Sequence, residues 1–449
     1  MRKILIANRG EIASRIIRTC KELGILTVAI YSEADKEAPF VSQADEAYLL
    51  GAPRVEESYM DMDKVFEIAN QSGAEAIHPG YGFFSENAAF AKRCKEEGIT
   101  FIGPSPEVIA KMGNKIEARL LMKQAGMPVV PGTDQAVESA EEAVEAAEKI
   151  GYPVMLKAAA GGGGIGMVSA ANREECVKAF ASNSERAKRF FGDGSMFVEK
   201  KIENARHIEV QIIADDNGNV IHLFDRECSI QRRNQKVIEE AVSPFLSEQT
   251  RNEICMSAVN AAKSIGYVNA GTFEFIADEQ ENFYFLEMNT RIQVEHPVTE
   301  EVTGIDIVQE QLNVARGKAI LIDQSEVKRI GHAIEARIYA EDPHTFFPSP
   351  GKITTLIVPE MENLRNEVAV VEDYTVTPFY DPMIAKVIAR GENREEACDA
   401  LIAGLEKWQI EGIKTNKQMV LDILKSAEFK DGNTTTDFVA KYYLPNSKK

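Results

Sequence analysis

The stretch GTFEFIADEQENFYFLEMNTRIQVE, residues 271–295, reads as two strands and the turn between them. Five polar residues, Asp278 to Asn282, separate two runs rich in aromatic residues, which is the spacing of a hairpin. In a strand every second residue shares a face, so Phe273 and Phe275 point into a core while Glu274 points away from it. On the second strand Glu287, Asn289, Arg291, Gln293 and Glu295 share one side for as long as the strand continues. The register that pairs Glu274 with Glu287 sets two carboxylates opposite each other, which destabilises a ladder unless a cation lies between them. Two like charges about 4 Å apart cost about 4 kcal/mol at an effective dielectric of 20 and about 1 kcal/mol in water. An enclosed pair therefore calls for a metal, and the hard oxygens of Glu274, Glu287 and Asn289 suit Mg²⁺. A solvated polar face is the alternative.

Upstream, the first 110 or so residues alternate short apolar runs, ILIA (4–7), TVAI (27–30), AEAIHPG (74–80) and ITFIG (99–103), with amphipathic helical patterns. That alternation predicts a parallel α/β sheet. The turn after the first strand, NRGEIASRIIR, is not G-x-G-x-x-G, so a dinucleotide fingerprint is absent. A helix is expected from about Asn114 to Gln124, and GMPVVPG (126–132) reads as a linker into a second unit. In that unit a helix (136–150), a strand YPVMLKAA (152–159), a glycine run and a strand SMFVEKKI (195–202) form a small α/β module. Residues 206–290 are rich in strand patterns; beyond about 330 short strands, proline turns and a late helix near 394–407 alternate.

With 449 residues the chain is expected to hold about three structural units. Seventy acidic against 51 basic side chains leave a net charge of −19, which argues against nucleic acid or an anionic membrane as partner. The six cysteines form no C-x-x-C pair, and no apolar run approaches the roughly 18 residues of a membrane span. No export signal is found, and a reducing cytoplasm is the expected compartment.

GGGG (161–164) directly follows the strand containing Lys157; glycines leave bare N–H groups that can wrap a phosphate, although a hairpin tip would look the same. It is not a Walker loop, since no G-K-[ST] follows. Lys157, and Lys115 at the start of the preceding helix, strengthen a triphosphate reading. QRRNQK (231–236) adds positive charge that could hold a small anion, or could be an exposed basic strand. HPGYGFFSEN (78–87) ends a strand with glycines around Tyr81, where a backbone could approach a ligand or simply turn. His78 and Cys228 are expected to be structural, and the histidine spacings support no histidine metal centre.

Taken in order, NRGEIASRIIR, IHPGYGFFSEN, FIGPSPEVIAKMGNK, GGGGIGM, ARHIEVQ, QRRNQKV, FLEMNTRIQVEHPVTE, GHAIEARIYAEDP and PFYDPMIAK closely resemble the biotin carboxylase component of acetyl-CoA carboxylase, from about residue 3 to 440. The resemblance implies a multidomain α/β and α+β chain with an ATP-grasp fold. Its expected parts are an N-terminal parallel α/β domain (1–112), an ATP-grasp domain (113–330) with a mobile lid at about 130–203, and a mixed C-terminal domain (331–449). By motif it implies ATP binding at Lys115, Lys157, Gly163, Gly164, Glu199, Lys200, Ile202, His207, Asn234, Glu274 and Glu287. It implies Mg²⁺ (or Mn²⁺) on Glu274, Glu287 and Asn289, and bicarbonate at Lys236, Arg291, Gln293, Val294 and Glu295. The biotin end is placed at Tyr81, Gly82, Gln231 and Arg337. Two departures stand out: Asn234 where the family usually has histidine, and Ile165 where many members carry arginine.

The activity expected from the resemblance is carboxylation of biotin on a separate carrier protein, with Glu295, Arg291, Lys236 and Arg337 as the catalytic set. Glu295 would serve as general base on bicarbonate. No A-M-K-M sequence is present, so the carrier is expected to act in trans, alongside carboxyltransferase subunits. The resemblance also implies a homodimer. Two other readings are open: a different ATP-grasp carboxylate–amine ligase, and a nucleotide-binding subunit without catalysis.

Overall fold

The structure, a computed structural model, describes residues 1–158, 167–191 and 193–445. The glycine run, with Gly163, Gly164 and Ile165, lies outside the described residues.

The N-terminal unit is a five-stranded parallel sheet of β1 (Lys3–Ile6), β2 (Leu26–Ser32), β3 (Glu46–Gly51), β4 (Ala76–His78) and β5 (Thr100–Phe101), in the order β3-β2-β1-β4-β5. Its helix α1 (Gly10–Glu22) buries Ile12, Ile16 and Ile17, the face that the sequence spacing predicts. The strand order reverses between β1 and β4, and ligand crevices form at such switch points beyond the carboxyl ends of the strands. Asn8, just past β1, stitches that point: its Nδ2 donates to the carbonyls of Pro79 and Tyr81, both at 2.7 Å. Gly80 is required there, because φ is +61° and a Cβ would meet Asn8 Nδ2 at 2.8 Å.

Helices α2 (Pro39–Gln43), α3 (Met62–Ser72), α4 (Ala88–Glu96), α5 (Pro106–Gly113) and α6 (Lys115–Gln124) follow in chain order. Sequence pattern anticipates α6, whose N-cap Asn114 accepts from the N–H groups of Ile116 and Glu117, but not α5. The segment 126–132 is no free linker. Phe285 N–H donates to Pro128 O at 2.7 Å, and Lys200 N–H to Pro131 O at 2.7 Å, so it is pinned to two sheets.

A small antiparallel sheet, β7-β6-β8, comprises β6 (Val154–Ala158), β7 (Met167–Ala170) and β8 (Met196–Lys200). It packs its own core with α7 (Ala140–Ile150) and α8 (Arg173–Phe191), including Val144, Leu156 and Val198. The main sheet is eight-stranded and antiparallel, in the order β13-β12-β9-β10-β11-β14-β19-β17. Its strands are β9 (Arg206–Ala214), β10 (Val220–Arg232), β11 (Gln235–Ala241), β12 (Asn269–Ala277), β13 (Phe283–Asn289), β14 (His332–Tyr339), β17 (Leu364–Val368) and β19 (Met383–Gly391). The intervening β15 (Gly351–Lys352) and β16 (Thr355–Ile357) pair with β18 (Thr375–Val376) and β20 (Gln409–Glu411). One sheet thus draws strands from both sides of residue 330. Helix α9 (Glu248–Ser264) covers β10, and α10 (His296–Thr303) packs on β14.

Candidate active site

The β12–β13 hairpin has the expected turn and sets Glu274 opposite Glu287, through a one-residue register shift: Phe275 pairs with Phe285, so Leu286 is the extra residue. The row extends further than the sequence pattern shows. Glu209 on β9 is the next neighbour of Glu274, and Arg226 on β10 is the next neighbour of Glu209. Partners in a ladder share a face, so four strands carry Arg226, Glu209, Glu274 and Glu287 side by side. Sequence reasoning does not find Glu209 and Arg226; the alternation of His207, Glu209 and Gln211 in RHIEVQ is the available signal.

The strand does not continue to Glu295. It ends at Asn289, and residues 290–295 turn away before α10, with Pro297 opening that helix. Arg291, Gln293 and Glu295 therefore reach the face from a loop rather than by alternation. Proline is favoured in a first helical turn, where its missing N–H costs nothing.

Lys236, on β11, ties the face together. Its Nζ donates to Glu209 Oε2 at 2.6 Å, Glu274 Oε1 at 2.9 Å and Glu295 Oε1 at 2.5 Å. Burial works against the ammonium, but Glu209, Glu274 and Glu295 hold its pKa well above the ordinary lysine value. Burial likewise works against the Glu295 carboxylate, and Lys236, Arg337 and Arg226 hold it well below the usual range. Arg337 Nη2 donates to Glu295 Oε2 at 3.0 Å. Glu274 Oε1 also accepts from Asn289 Nδ2 at 2.8 Å and Gln293 Nε2 at 3.0 Å. His207 Nε2 lies 3.2 Å from Glu274 Oε2.

Arg291 is anchored by Glu86, with Nε to Oε2 at 2.9 Å, and Nη2 donates to Asn289 Oδ1 at 2.9 Å. Its Nη1 donates to Gln293 Oε1 at 3.1 Å. The Val294 carbonyl accepts from Lys386 Nζ at 2.6 Å. All five residues expected around bicarbonate are therefore in one place. Cys228 is buried, its thiol pushed well up by burial, with Sγ 3.9 Å from Glu295 Oε1.

These side chains line a cleft of about 760 Å³ that also includes Lys115, Lys157, His207, Gln231, Asn234, Tyr81 and Gly82. Glu199, Lys200 and Ile202 are not on its wall. Glu199 pairs with Lys157, while Lys200 Nζ is spent on the carbonyls of Gly151 and Tyr152 at 2.9 and 3.0 Å. QRRNQK is not a continuous exposed strand: Arg232 is buried against Glu341, and Arg233 and Asn234 form the tip of the β10–β11 hairpin at φ +52° and +64°. Asparagine accepts that left-handed backbone well, which suits the departure at 234.

The donor set fits a hard divalent cation. Burial, the facing Glu274 and Glu86 raise the Glu287 carboxyl above its ordinary value, with Lys115 and His207 opposing. Two carboxylates set opposite each other, Glu274 buried and Glu287 half-buried, are what such an ion would relieve.

Family models match the chain in three consecutive pieces: the biotin carboxylase N-terminal domain over residues 1–109, the carbamoyl-phosphate synthase L chain ATP-binding domain over 114–322, and the biotin carboxylase C-terminal domain over 335–441. The chain is 58% identical to biotin carboxylase 2 of Bacillus subtilis (strain 168) over 440 residues, covering 98% of this chain and 99% of that protein. The chain belongs to the biotin carboxylase family. It is an enzyme of the ligase class with the ATP-grasp fold. A pyruvate carboxylase subunit from Methanothermobacter thermautotrophicus is 50% identical over 98% of this chain and 90% of its own. Among solved structures, the biotin carboxylase domain dimer of Hydrogenobacter thermophilus 2-oxoglutarate carboxylase, in complex with MgADP, ADP and bicarbonate, superposes with a TM-score of 0.96. That domain is 49% identical, with 98% of this chain and 97% of the other covered. Among the described residues no helix is long and apolar enough to cross a membrane.

Proposed function

We propose that this biotin carboxylase uses ATP and bicarbonate to carboxylate biotin on a separate carrier protein, as the first half-reaction of an acetyl-CoA carboxylase. The observation that carries the chemistry is the convergence of Lys236, Glu295, Arg291 and Arg337 on one cleft. Acetyl-CoA as final acceptor rests on the motif resemblance. Relatives named for pyruvate and 2-oxoglutarate match 98% of this chain, which supports a partner transferase as what sets the acceptor.

Bicarbonate enters between Lys236 and Glu295, taking the ammonium as its counter-ion. With Lys236 shared, Glu295 loses the charge that holds its carboxyl low and becomes a stronger base. It removes the bicarbonate proton, and the freed oxygen attacks the γ-phosphorus of ATP, giving carboxyphosphate and ADP. Arg291, held by Glu86 and Asn289, keeps the second anion in place beside the triphosphate. Lys115 and Lys157 offset phosphate charge. Glu274, Glu287 and Asn289 would hold Mg²⁺ (or Mn²⁺), which supplies Lewis-acid neutralisation of the phosphates when bound. Carboxyphosphate breaks to CO₂ and phosphate, that phosphate takes the N1′ proton of biotin, Arg337 stabilises the resulting enolate-like oxygen, and N1′ then attacks CO₂ to give carboxybiotin. Tyr81, Gly82 and Gln231, which line the same cleft as Arg337, are assigned to the biotin end with it. A homodimer is proposed on family grounds, with cytoplasmic residence.

ADP release by the purified protein, with MgATP and with or without bicarbonate and free biotin, tests this reading. Release that requires bicarbonate and rises with biotin is expected. Release driven by an amine and a carboxylic acid, or tight ATP binding without turnover, overturns it.

A further inference from the structure

Behind Arg337 lies a set of buried charges that the steps above do not use. Glu239 on β11 and Glu335 on β14 are ladder partners, and both are fully buried. Arg337 is two residues along β14 from Glu335 and shares its face, with Lys386 of β19 opposite. Besides holding Glu295, Arg337 sets Nε 2.6 Å from Glu239 Oε1. That N–H does not point along the contact, so Glu239 acts on the guanidinium through charge and packing rather than an aligned hydrogen bond.

Among the described residues, neither oxygen of Glu239 or of Glu335 has a hydrogen-bond partner. Lys386 directs Nζ to Val294 O at 2.6 Å and lies 3.3 Å from Glu11 Oε1, and it makes no hydrogen bond to Glu335. A buried carboxyl group with neither a donor nor an ion pair is retained only if it is neutral, and a neutral acid needs an acceptor for its O–H. The group directly across the ladder is Glu239, whose charge Arg337 already balances. We propose that Glu335 carries a proton and donates it to Glu239 across the ladder, and that this acid–carboxylate pair fixes the place from which Arg337 meets biotin.

The electrostatics agree. Burial pushes the Glu239 carboxyl up to about 7, with Glu295 and Glu209 adding to the rise and Arg337 and Lys236 opposing it. Burial, Glu239 and Glu295 push Glu335 well up, against Lys386 and Arg337. Neither carboxyl lines the cleft, so both are positioning residues that act through Arg337. The inference rests on the proposed role of Arg337 at the biotin end.

Steady-state kinetics with free biotin on the full chain test it at neutral pH. Glu335→Gln is expected to stay within about threefold of wild-type kcat/KM for biotin, because its amide N–H replaces the acid O–H. Glu335→Leu and Glu239→Gln are expected to lower it about a hundredfold, the scale of a small misplacement of a reacting group, while ATP affinity stays within about twofold. Infrared difference spectra should show a protonated-carboxyl band in wild type that Glu335→Gln removes. Glu335→Gln as impaired as Glu335→Leu, wild-type kinetics in Glu239→Gln, or no difference band would each overturn the pair. Should Glu335→Leu fail to fold, the Glu335→Gln kinetics and the band still decide. Arg337→Lys serves as the control. If it leaves biotin turnover unchanged, the role of Arg337 itself falls; if it depresses turnover while Glu239→Gln does not, only the pair falls.

Discussion

Lys236 is the residue on which the site's electrostatics turn, because one ammonium serves Glu209, Glu274 and Glu295 together. Removing one partner of a buried ion pair costs about 3–5 kcal/mol, since the charges left behind stay desolvated. Lys236→Gln is therefore expected to lower the urea midpoint markedly as well as to cut bicarbonate-dependent ADP release by about a hundredfold or more. A variant as stable as wild type would show that the carboxylates discharge by taking up protons. Arg337 is legible in the sequence only through motif resemblance, whereas Lys236 shows first as part of a basic run and Glu295 as an alternate strand position. Glu209 is legible only as one polar alternate in RHIEVQ, because a glutamate in a strand pattern looks like any solvated alternate position until its neighbours across the sheet are known.

At the scale of the element, the β12–β13 hairpin shows what local pattern can and cannot supply. Its turn follows from alternation and from a five-residue polar connection, which alone would pair residue 274 with Leu286; a register shift between Glu274 and Phe275 is what brings Glu287 opposite Glu274. Its end does not: residues 290–295 keep an alternating pattern but leave the sheet, although β12 runs on to Asn269, because the chain turns into a helix that starts at His296 with Pro297 in its first turn. The acidic pair has a thermodynamic consequence. Glu287→Gln removes a like charge facing Glu274 and is expected to stabilise the metal-free protein by roughly 0.5–1 kcal/mol. The same change should weaken Mg²⁺-dependent nucleotide binding about tenfold or more. Denaturation in chelator and nucleotide titration with and without Mg²⁺ check both; a loss of stability in chelator would mean that the two carboxylates are already relieved by Lys115 and Lys236.

For the whole molecule, burial of neutral imidazoles makes stability depend on pH. Burial lowers His78 to about 3 and His222 to about 4. The Gly80 N–H donates to His78 Nδ1 at 3.1 Å, which leaves Nε2–H to donate to Gln311 Oε1 at 3.2 Å. Both rings bind fewer protons folded than unfolded, so their contribution is complete above the unfolded value near 6.5 and is lost as pH falls toward the folded values. Each adds a slope of up to about 1.4 kcal/mol per pH unit in that window. His222→Asn is expected to flatten the stability profile between roughly pH 6.5 and 4.5 by about that slope, measured by urea unfolding at several pH values; an unchanged slope would show that His222 is charged when folded. The parallel α/β start, the hairpin and the glycine, proline and lysine punctuation were written in the sequence, because periodicity and turn chemistry act over a few residues. The row Arg226–Glu209–Glu274–Glu287, the loop approach of Arg291 and Glu295, and the burial of Glu239 and Glu335 behind Arg337 were decided only by tertiary structure. Those features depend on which distant strands become neighbours, and a strand's own residues carry no record of who lies beside it.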